Sequence, residues 1–435
     1  MFGEEVRLWY YPRMLRLAIR FTKSLAILLV ILSVSVGVGI GYYVVHGGDL
    51  SRLEIQGGRS LDKGIELADP KALFEKGEAL REKTAALGND VTTFLSRKTG
   101  DTGMPIDARS QVELGNERES VGSGSKGGIQ VYFAPCAPAD PFGIDDAFLG
   151  FLNSAKRSIH GAFFEFELPA AAEVCIEKHK QGVDVRIVSD SNYKGRAAIQ
   201  SCIAAGIPVV FDNRDAFMHN KFCVVDERLV WTGSTNITEN CMYRNDNNSL
   251  VLDSPRLAQD FSAEFDEMFD LHAFGKKSPR NTPYPEVEVG DARVECYFAP
   301  EDHVQQAIIG EIGTAQSEID VMAFSFTSVE IAKAMAARIE KGVKVRAVFD
   351  QRQAGTEHSQ DDYIAKRGAS VRLDNNPYAM HNKVIIIDAK AVVTGSYNFT
   401  KSADTQNDEN VLIIHSPNIA KIYLRKFESL VSGMN

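Results

Sequence analysis

The sequence predicts an α/β protein made of two similar lobes, and three repeated strings carry that prediction. Val131-Tyr132-Phe133-Ala134-Pro135 recurs as Cys296-Tyr297-Phe298-Ala299-Pro300. The run from Gly182 to Asp190, Gly-Val-Asp-Val-Arg-Ile-Val-Ser-Asp, returns from Gly342 to Asp350 as Gly-Val-Lys-Val-Arg-Ala-Val-Phe-Asp. His219-Asn220-Lys221, with Asp226 five residues on, is matched by His381-Asn382-Lys383 with Asp388. Each copy leads to a Gly-Ser-x-Asn run, at Gly233-Ser234-Thr235-Asn236 and Gly395-Ser396-Tyr397-Asn398. A period this long excludes a solenoid and means a duplicated domain.

Before the repeats, residues 1–24 carry Arg7, Arg13, Arg16, Arg20 and Lys23, and residues 25–45 contain no charge. The uncharged run is long enough to cross a bilayer core of about 30 Å. Its basic flank, with Trp9, Tyr10 and Tyr11 as interfacial anchors, predicts a cytoplasmic N-terminus and an extracytoplasmic remainder. A cleaved signal peptide is the alternative, but the run exceeds a usual signal core and no Ala-x-Ala site follows it. Residues 46–128 lack the repeat and end in Gly122-Ser123-Gly124-Ser125-Lys126-Gly127-Gly128, a linker composition that predicts a stalk.

The first lobe is expected over 129–275. Its patterns read strand at Ser158–Phe166, helix at Pro169–Gln181, strand at Val183–Ser189, helix at Lys194–Ala205 and strand at Pro208–Phe211. Such alternation places helices on the faces of a sheet. Residues 276–290 contain Pro279, Pro283 and Pro285 and read as a connector. The second lobe fills 291–435.

With 44% hydrophobic and 24% charged residues the chain has the material for real cores. A net charge of -10 argues against a protein that holds nucleic acid through a broad basic surface. An exported domain could form disulfides from Cys136, Cys175, Cys202, Cys223, Cys241 and Cys296, and their spacing settles nothing. Cys175, Cys223 and Cys296 sit in apolar runs and read as small buried residues.

Phe222-Cys223-Val224-Val225 and Val384-Ile385-Ile386-Ile387 are buried-strand sequences directly after each triplet. Side chains alternate along a strand, so His219 and Lys221 share one face, as do His381 and Lys383, while the intervening asparagines point away. Cleaving a phosphodiester in line needs an attacking group and a proton donor on opposite sides of phosphorus. Two lobes joined face to face supply both: one neutral imidazole attacks to form a phosphohistidine, and the other, protonated, is the general acid. Lys221, Lys383, Asn236 and Asn398, with Ser234 and Ser396, would stabilise charge on the phosphoryl oxygens. This chemistry calls for no metal and no cofactor. Asp190 and Asp350 read as loop caps, and His160, His303 and His358 have no counterpart in the other lobe.

The pattern His-x-Lys-x4-Asp followed by Gly-Ser-x-Asn resembles the signature of the phospholipase D superfamily, over roughly residues 129–430. The resemblance implies an α/β/α sandwich per lobe, an active site at their pseudo-twofold interface, and structural roles for Asp226 and Asp388. It also implies a downstream acidic residue that buttresses a catalytic histidine. Glu409 fits, whereas the first lobe carries Asn247 there. A carboxylate raises imidazole basicity and fixes its tautomer. If Glu409 serves His381 of its own lobe, His381 is the nucleophile and His219 the acid; the superfamily's usual assignment is the reverse.

The superfamily spans phospholipases, phosphatidyl transferases and nucleases, so motif alone does not choose a substrate. The segment from Gly395 to Asn410 is similar to the small bacterial endonucleases, and Ile237-Thr238 and Phe399-Thr400 stand where cardiolipin synthases more often show Asp and an Arg-Ser pair. The expectation is therefore a membrane-tethered nuclease. A phospholipase D or cardiolipin synthase-like transferase is the alternative.

Overall fold

Two mixed sheets, one per lobe, organise the chain. The computed structural model describes residues 128–137 and 143–433, so the expected basic segment, membrane span and almost all of the stalk lie outside the described residues. Among the described residues no helix is long and apolar enough to cross a membrane.

The first sheet is built from β1 (Ile129–Ala134), β2 (Ser158–Phe163), β3 (Asp184–Ser189), β4 (Val209–Phe211), β5 (Lys221–Val225), β6 (Leu229–Gly233) and β7 (Asn247–Asp253), in the order β1-β7-β6-β5-β2-β3-β4. The second contains β8 (Glu286–Val289), β9 (Ala292–Ala299), β10 (Glu318–Ala323), β11 (Lys344–Phe349), β12 (Ser370–Leu373), β13 (Lys383–Ile387), β14 (Ala391–Gly395) and β15 (Glu409–His415). Its order, β12-β11-β10-β13-β14-β15-β9-β8, is the first sheet's with one strand added. That added strand corrects the sequence reading. Glu286–Val289 lies inside the expected connector, yet it pairs antiparallel with β9 because Val287 and Val289 alternate with glutamates and bury one face.

Helices cover both faces of each sheet, as the alternation predicts. In the first lobe α1 (Ile144–Asn153), α2 (Pro169–Lys180) and α3 (Ala197–Ala204) enclose a core with Trp231, Phe148 and Phe163. The short α4 (Glu239–Tyr243) follows the Gly-Ser-x-Asn run, and α5 (Pro255–Phe269) closes the lobe. The second lobe repeats these as α6 (Val304–Thr314), α7 (Val329–Ile339), α8 (Asp361–Ala365), α9 (Lys401–Thr405) and α10 (Pro417–Ser432). Ser254 and Ser416 cap α5 and α10 through Leu257 N and Ile419 N, each followed by proline at the first helical position.

One apolar cluster spans both lobes. Phe222, Phe261 and Phe265 of the first lobe join Phe298, Ile386 and Tyr423 of the second in it. The lobes thus share a buried seam, which fixes the distance between their motifs. All six cysteines are free, five of them buried and Cys136 half-buried, in keeping with the reading of Cys175, Cys223 and Cys296 as packing residues.

Candidate active site

Each His-x-Lys enters the seam where its strand begins. β5 and β13 start at Lys221 and Lys383, pairing with Phe163 of β2 and Ala323 of β10. Each histidine lies just upstream, and its backbone is held by the opposite lobe: His219 N donates to Asp408 O (2.9 Å) and His381 N to Asp246 O (2.8 Å). One residue earlier, Met218 N and Met380 N donate to the Asp190 and Asp350 carboxylates (3.0 and 3.1 Å). Those aspartates also cap their own loops, at Asn192 N and at Arg352 N. They are fasteners for the motif, as the capping reading expects.

His219, Lys221, His381 and Lys383 are all at least nine-tenths buried. They form one site. Burial is the main reason both imidazoles titrate well below their ordinary range, and the ammoniums of Lys221 and Lys383 depress them further; His381 also feels His219. Lys221 is pulled down to about 8, chiefly by burial, and Lys383 is lowered for the same reason and by Lys221 beside it. Each ammonium donates to the carbonyl of its own histidine, at 2.6 and 2.7 Å. Phe164 and Phe324 lie under them, 4.9 and 5.3 Å from the nitrogens, and also meet the imidazoles edge-on.

The support of the two histidines departs from the sequence expectation. Glu409 does not serve His381; it crosses the seam, and its Oε2 accepts from His219 Nδ1 at 2.7 Å. His381 Nδ1 instead donates to the amide oxygen of Asn247 at 2.8 Å. Both rings therefore keep Nε2 free of these partners. The reason is topological: β7 and β15 run along the seam, and their first residues face the other lobe's motif, which sequence distance does not reveal. Ser396 Oγ and Asn407 Nδ2 donate to Glu409 at 2.6 and 3.2 Å, and Ser234 Oγ donates to Asn247 at 2.9 Å. Both serines thus hold the histidine supports rather than facing the centre directly. Burial pushes the Glu409 carboxyl up to about 7, against the pull of Lys221, Ser396, Asn407 and Lys383.

Asn220 and Asn382 point away from the site, as alternation predicts, but they are not idle. Asn410 Nδ2 donates to Asn220 Oδ1, and Asn248 Nδ2 to Asn382 Oδ1, both at 2.8 Å. Thr232 and Thr394 complete the ladder by donating to Asn410 and Asn248 across the seam, at 2.5 and 2.9 Å. The motif glycines belong to the same packing. Gly233 and Gly395 have positive φ, and a Cβ there would run into the carbonyls of Asn248 and Asn410.

Asp226 and Asp388 lie at the far ends of β5 and β13, about 17 Å from the lysines for a five-residue strand. Asp226 accepts from the backbone of Lys156, Arg157 and Ser158, and Asp388 from that of Gln316, Ser317 and Glu318. Partial burial opposes ionisation, yet these N–H donors prevail: Asp226 is lowered and Asp388 held at about 2. They pin the turn before β2 and β10.

One group escaped the sequence reading. Asn236 Nδ2 donates at 3.0 Å to the carboxylate of Glu165, which lies in the loop after β2. Burial raises that carboxyl, while Lys221 and Arg196 lower it. The corresponding residue of the other lobe is Ser325, in Phe324-Ser325-Phe326 against Phe164-Glu165-Phe166. That single difference inside the repeat was the available signal. The amide oxygens of Asn236 and Asn398 are buried without a hydrogen-bond partner.

Comparison with known proteins bears on the family and the fold. The family profile described as the PLD-like domain of cardiolipin synthase matches residues 148–269 and 308–431, together more than half of the chain. A phospholipase D of Rickettsia felis is 31% identical over 38% of this chain and 82% of its own length. The human mitochondrial cardiolipin hydrolase is 34% identical over 28% of this chain and 48% of its own length. Among solved structures, a Haemophilus influenzae phosphatidylserine synthase covers 69% of this chain and 86% of its own at TM-score 0.54 and 14% identity, a likeness of fold. The Salmonella typhimurium phospholipase D family member Nuc is 36% identical over 32% of this chain and 95% of its own, at TM-score 0.32.

Proposed function

This chain belongs to the phospholipase D superfamily, and from that premise we propose that it is a membrane-tethered nuclease that cleaves phosphodiesters through a phosphohistidine on His219. The observation that carries the role assignment is the crossed support, Glu409 on His219 and Asn247 on His381. A carboxylate at Nδ1 stabilises the imidazolium that forms as Nε2 takes up phosphorus, so His219 is the better nucleophile. An amide at Nδ1 gives the imidazolium of His381 no such charge, so its Nε2 proton leaves readily and suits a general acid. The leaving alkoxide takes that proton. Water then attacks phosphorus, His381 accepts the water's proton, and the P–N bond to His219 breaks. Lys221, Lys383, Asn236 and Asn398 balance the non-bridging oxygens throughout.

Support for nucleic acid comes from exposed rings just upstream of each histidine. Phe217 and Tyr378, two and three residues before the two histidines, expose 41% and 44% of their surface, and Arg244 lies over the Tyr378 ring at 5.4 Å. Exposed rings on both flanks of a cationic centre suit base stacking on a single strand. The endonuclease-like segment from Gly395 to Asn410 points the same way. A second reading, phospholipid hydrolysis or phosphatidyl transfer, is favoured by the printed names of the relatives, phospholipase D and cardiolipin hydrolase. The tether at residues 25–45 and an extracytoplasmic catalytic part complete the proposal.

One assay separates the readings. The full chain is given single-stranded DNA and RNA, plasmid, and cardiolipin or phosphatidylcholine vesicles, all in EDTA. Nucleic-acid cleavage that survives chelation and disappears in His219→Asn is the expected result. Headgroup or phosphatidate release without cleavage would transfer the proposal to lipid.

A further inference from the structure

The first lobe buries carboxylates in a place where the second lobe keeps its own cation. Glu264 and Glu267, one turn apart on α5, face Glu301 in the loop after β9, with one oxygen of each within 4.8 Å of the others. A group of acids alone does not mark a site. The second observation is Glu267 itself: it is 2% exposed, turned into this group, and neither of its oxygens has a partner at full hydrogen-bond geometry, although Ser278 and Asn281 lie close enough to ease its ionisation slightly. Oε2 of Glu301 is likewise buried and unpartnered. Unpaired charge in such a place is costly unless a counter-charge or a proton arrives.

The repeat supplies an internal control. The α10 positions matching Glu264 and Glu267 hold Lys426 and Ser429, and Cys136 matches Glu301. Lys426 Nζ binds Asp246 at 2.8 Å, so the second lobe brings a built-in ammonium. Arg214 is close enough to feel Glu264, but its guanidinium is engaged by Asp212, Asp408, Gln406 O and Phe217 O. Asp260 and Asp302 add negative potential; Asp302 is tied to Thr282 and Arg280, while Oδ2 of Asp260 is unpartnered.

We propose that Glu264, Glu267 and Glu301 bind a hard divalent cation of the calcium class at the seam between the lobes. Three protein carboxylates suit calcium, which draws most of its oxygen ligands from the chain, better than magnesium, which keeps its waters and binds through one or two carboxylates. Water completes the shell. The cation takes no part in the reaction, and its influence on the site runs through Glu264 Oε1, which accepts at 3.2 Å from Asn220 between His219 and Lys221. Burial pushes Glu267 up to about 7 and Glu301 up to about 8, so protons compete with the ion and affinity rises with pH.

The test uses the full chain, stripped with EDTA, desalted, and titrated at pH 8 with CaCl2 and in parallel with MgCl2. Calorimetry should show one saturable calcium site per chain with weaker magnesium binding, and calcium should raise Tm by about 5 °C. Glu301→Gln, on the loop and least needed for folding, should weaken calcium at least ~10-fold while keeping phosphodiesterase activity. A wild-type chain with no calcium heat and no Tm shift overturns the proposal, and shows the carboxyls held protonated instead. Calcium binding that is unchanged in both Glu301→Gln and Glu267→Gln overturns it as well.

Discussion

The two lobes share strand order, motif register and a ladder of four asparagines, yet they differ at the one contact that decides chemistry. In the first lobe's motif, His219 leans on a carboxylate; in the second's, His381 leans on an amide. Each support comes from the other lobe. The lesson is that duplication supplied symmetric positions, and a Glu-to-Asn difference at one of them gives the two histidines unlike supports, the basis of the proposed split into nucleophile and acid.

Breaking the pair outright should have the largest effect. His219→Asn and His381→Asn should each lower kcat by about 10⁴ or more in steady-state assays. They should differ in trapping: a slow substrate with a good leaving group, quenched in alkali where a P–N bond survives, should leave covalent phosphate on His381→Asn and none on His219→Asn. Label on His219→Asn would reverse the assignment. Glu409→Gln comes next, with an expected loss of about 10² in kcat, because the imidazolium loses its carboxylate. Its pH profile should lose the limb that Glu409, near 7, contributes.

Asn247→Glu should sharpen the comparison by making the supports alike. A second carboxylate raises the basicity of His381 and slows proton donation, so kcat should fall about 10-fold and the alkaline limb should move up in pH. Glu165→Gln should be milder, a few-fold in kcat/KM, since it keeps a hydrogen-bond partner for Asn236 and removes only a charge near Lys221.

Stability carries the smallest and most general effect. Asp260, Glu267 and Glu409 have folded values near 7 and Glu301 near 8, all raised by burial above their unfolded range. Between pH 6.5 and 8 the unfolded carboxyls are already ionised while the folded ones still release protons, so the folded state loses stability as pH rises. The two histidines, depressed below 6.5, titrate beneath that window and have the opposite sign there: folding weakens as pH falls. Lys221, lowered to about 8, and Lys383 have the opposite sign where they release their protons, so thermal melts in EDTA should drop in Tm chiefly from pH 6.5 to 7.5.

Much of this was legible in the sequence. Strand alternation placed His219 with Lys221 and turned Asn220 away, and the repeats announced two similar lobes, whose sheets share one strand order. Strand ends shifted by up to three residues, as at β2, where Phe164 and Glu165 leave the ladder to line the site. The partner of Glu409 was not legible, because sequence proximity favoured His381 and only the seam's geometry brings β15 to His219. Glu165 was missed for a related reason: a single acid in an aromatic run looks like loop solvation until Asn236 is folded onto it.

The bridges from His219 N to Asp408 O and from His381 N to Asp246 O carry a consequence for assembly. The Nδ1 partner of each imidazole also comes from the other half of the chain, so a severed lobe should be inactive, and mixing separately expressed halves should restore turnover only where they dock. Turnover would then report that the two halves have docked.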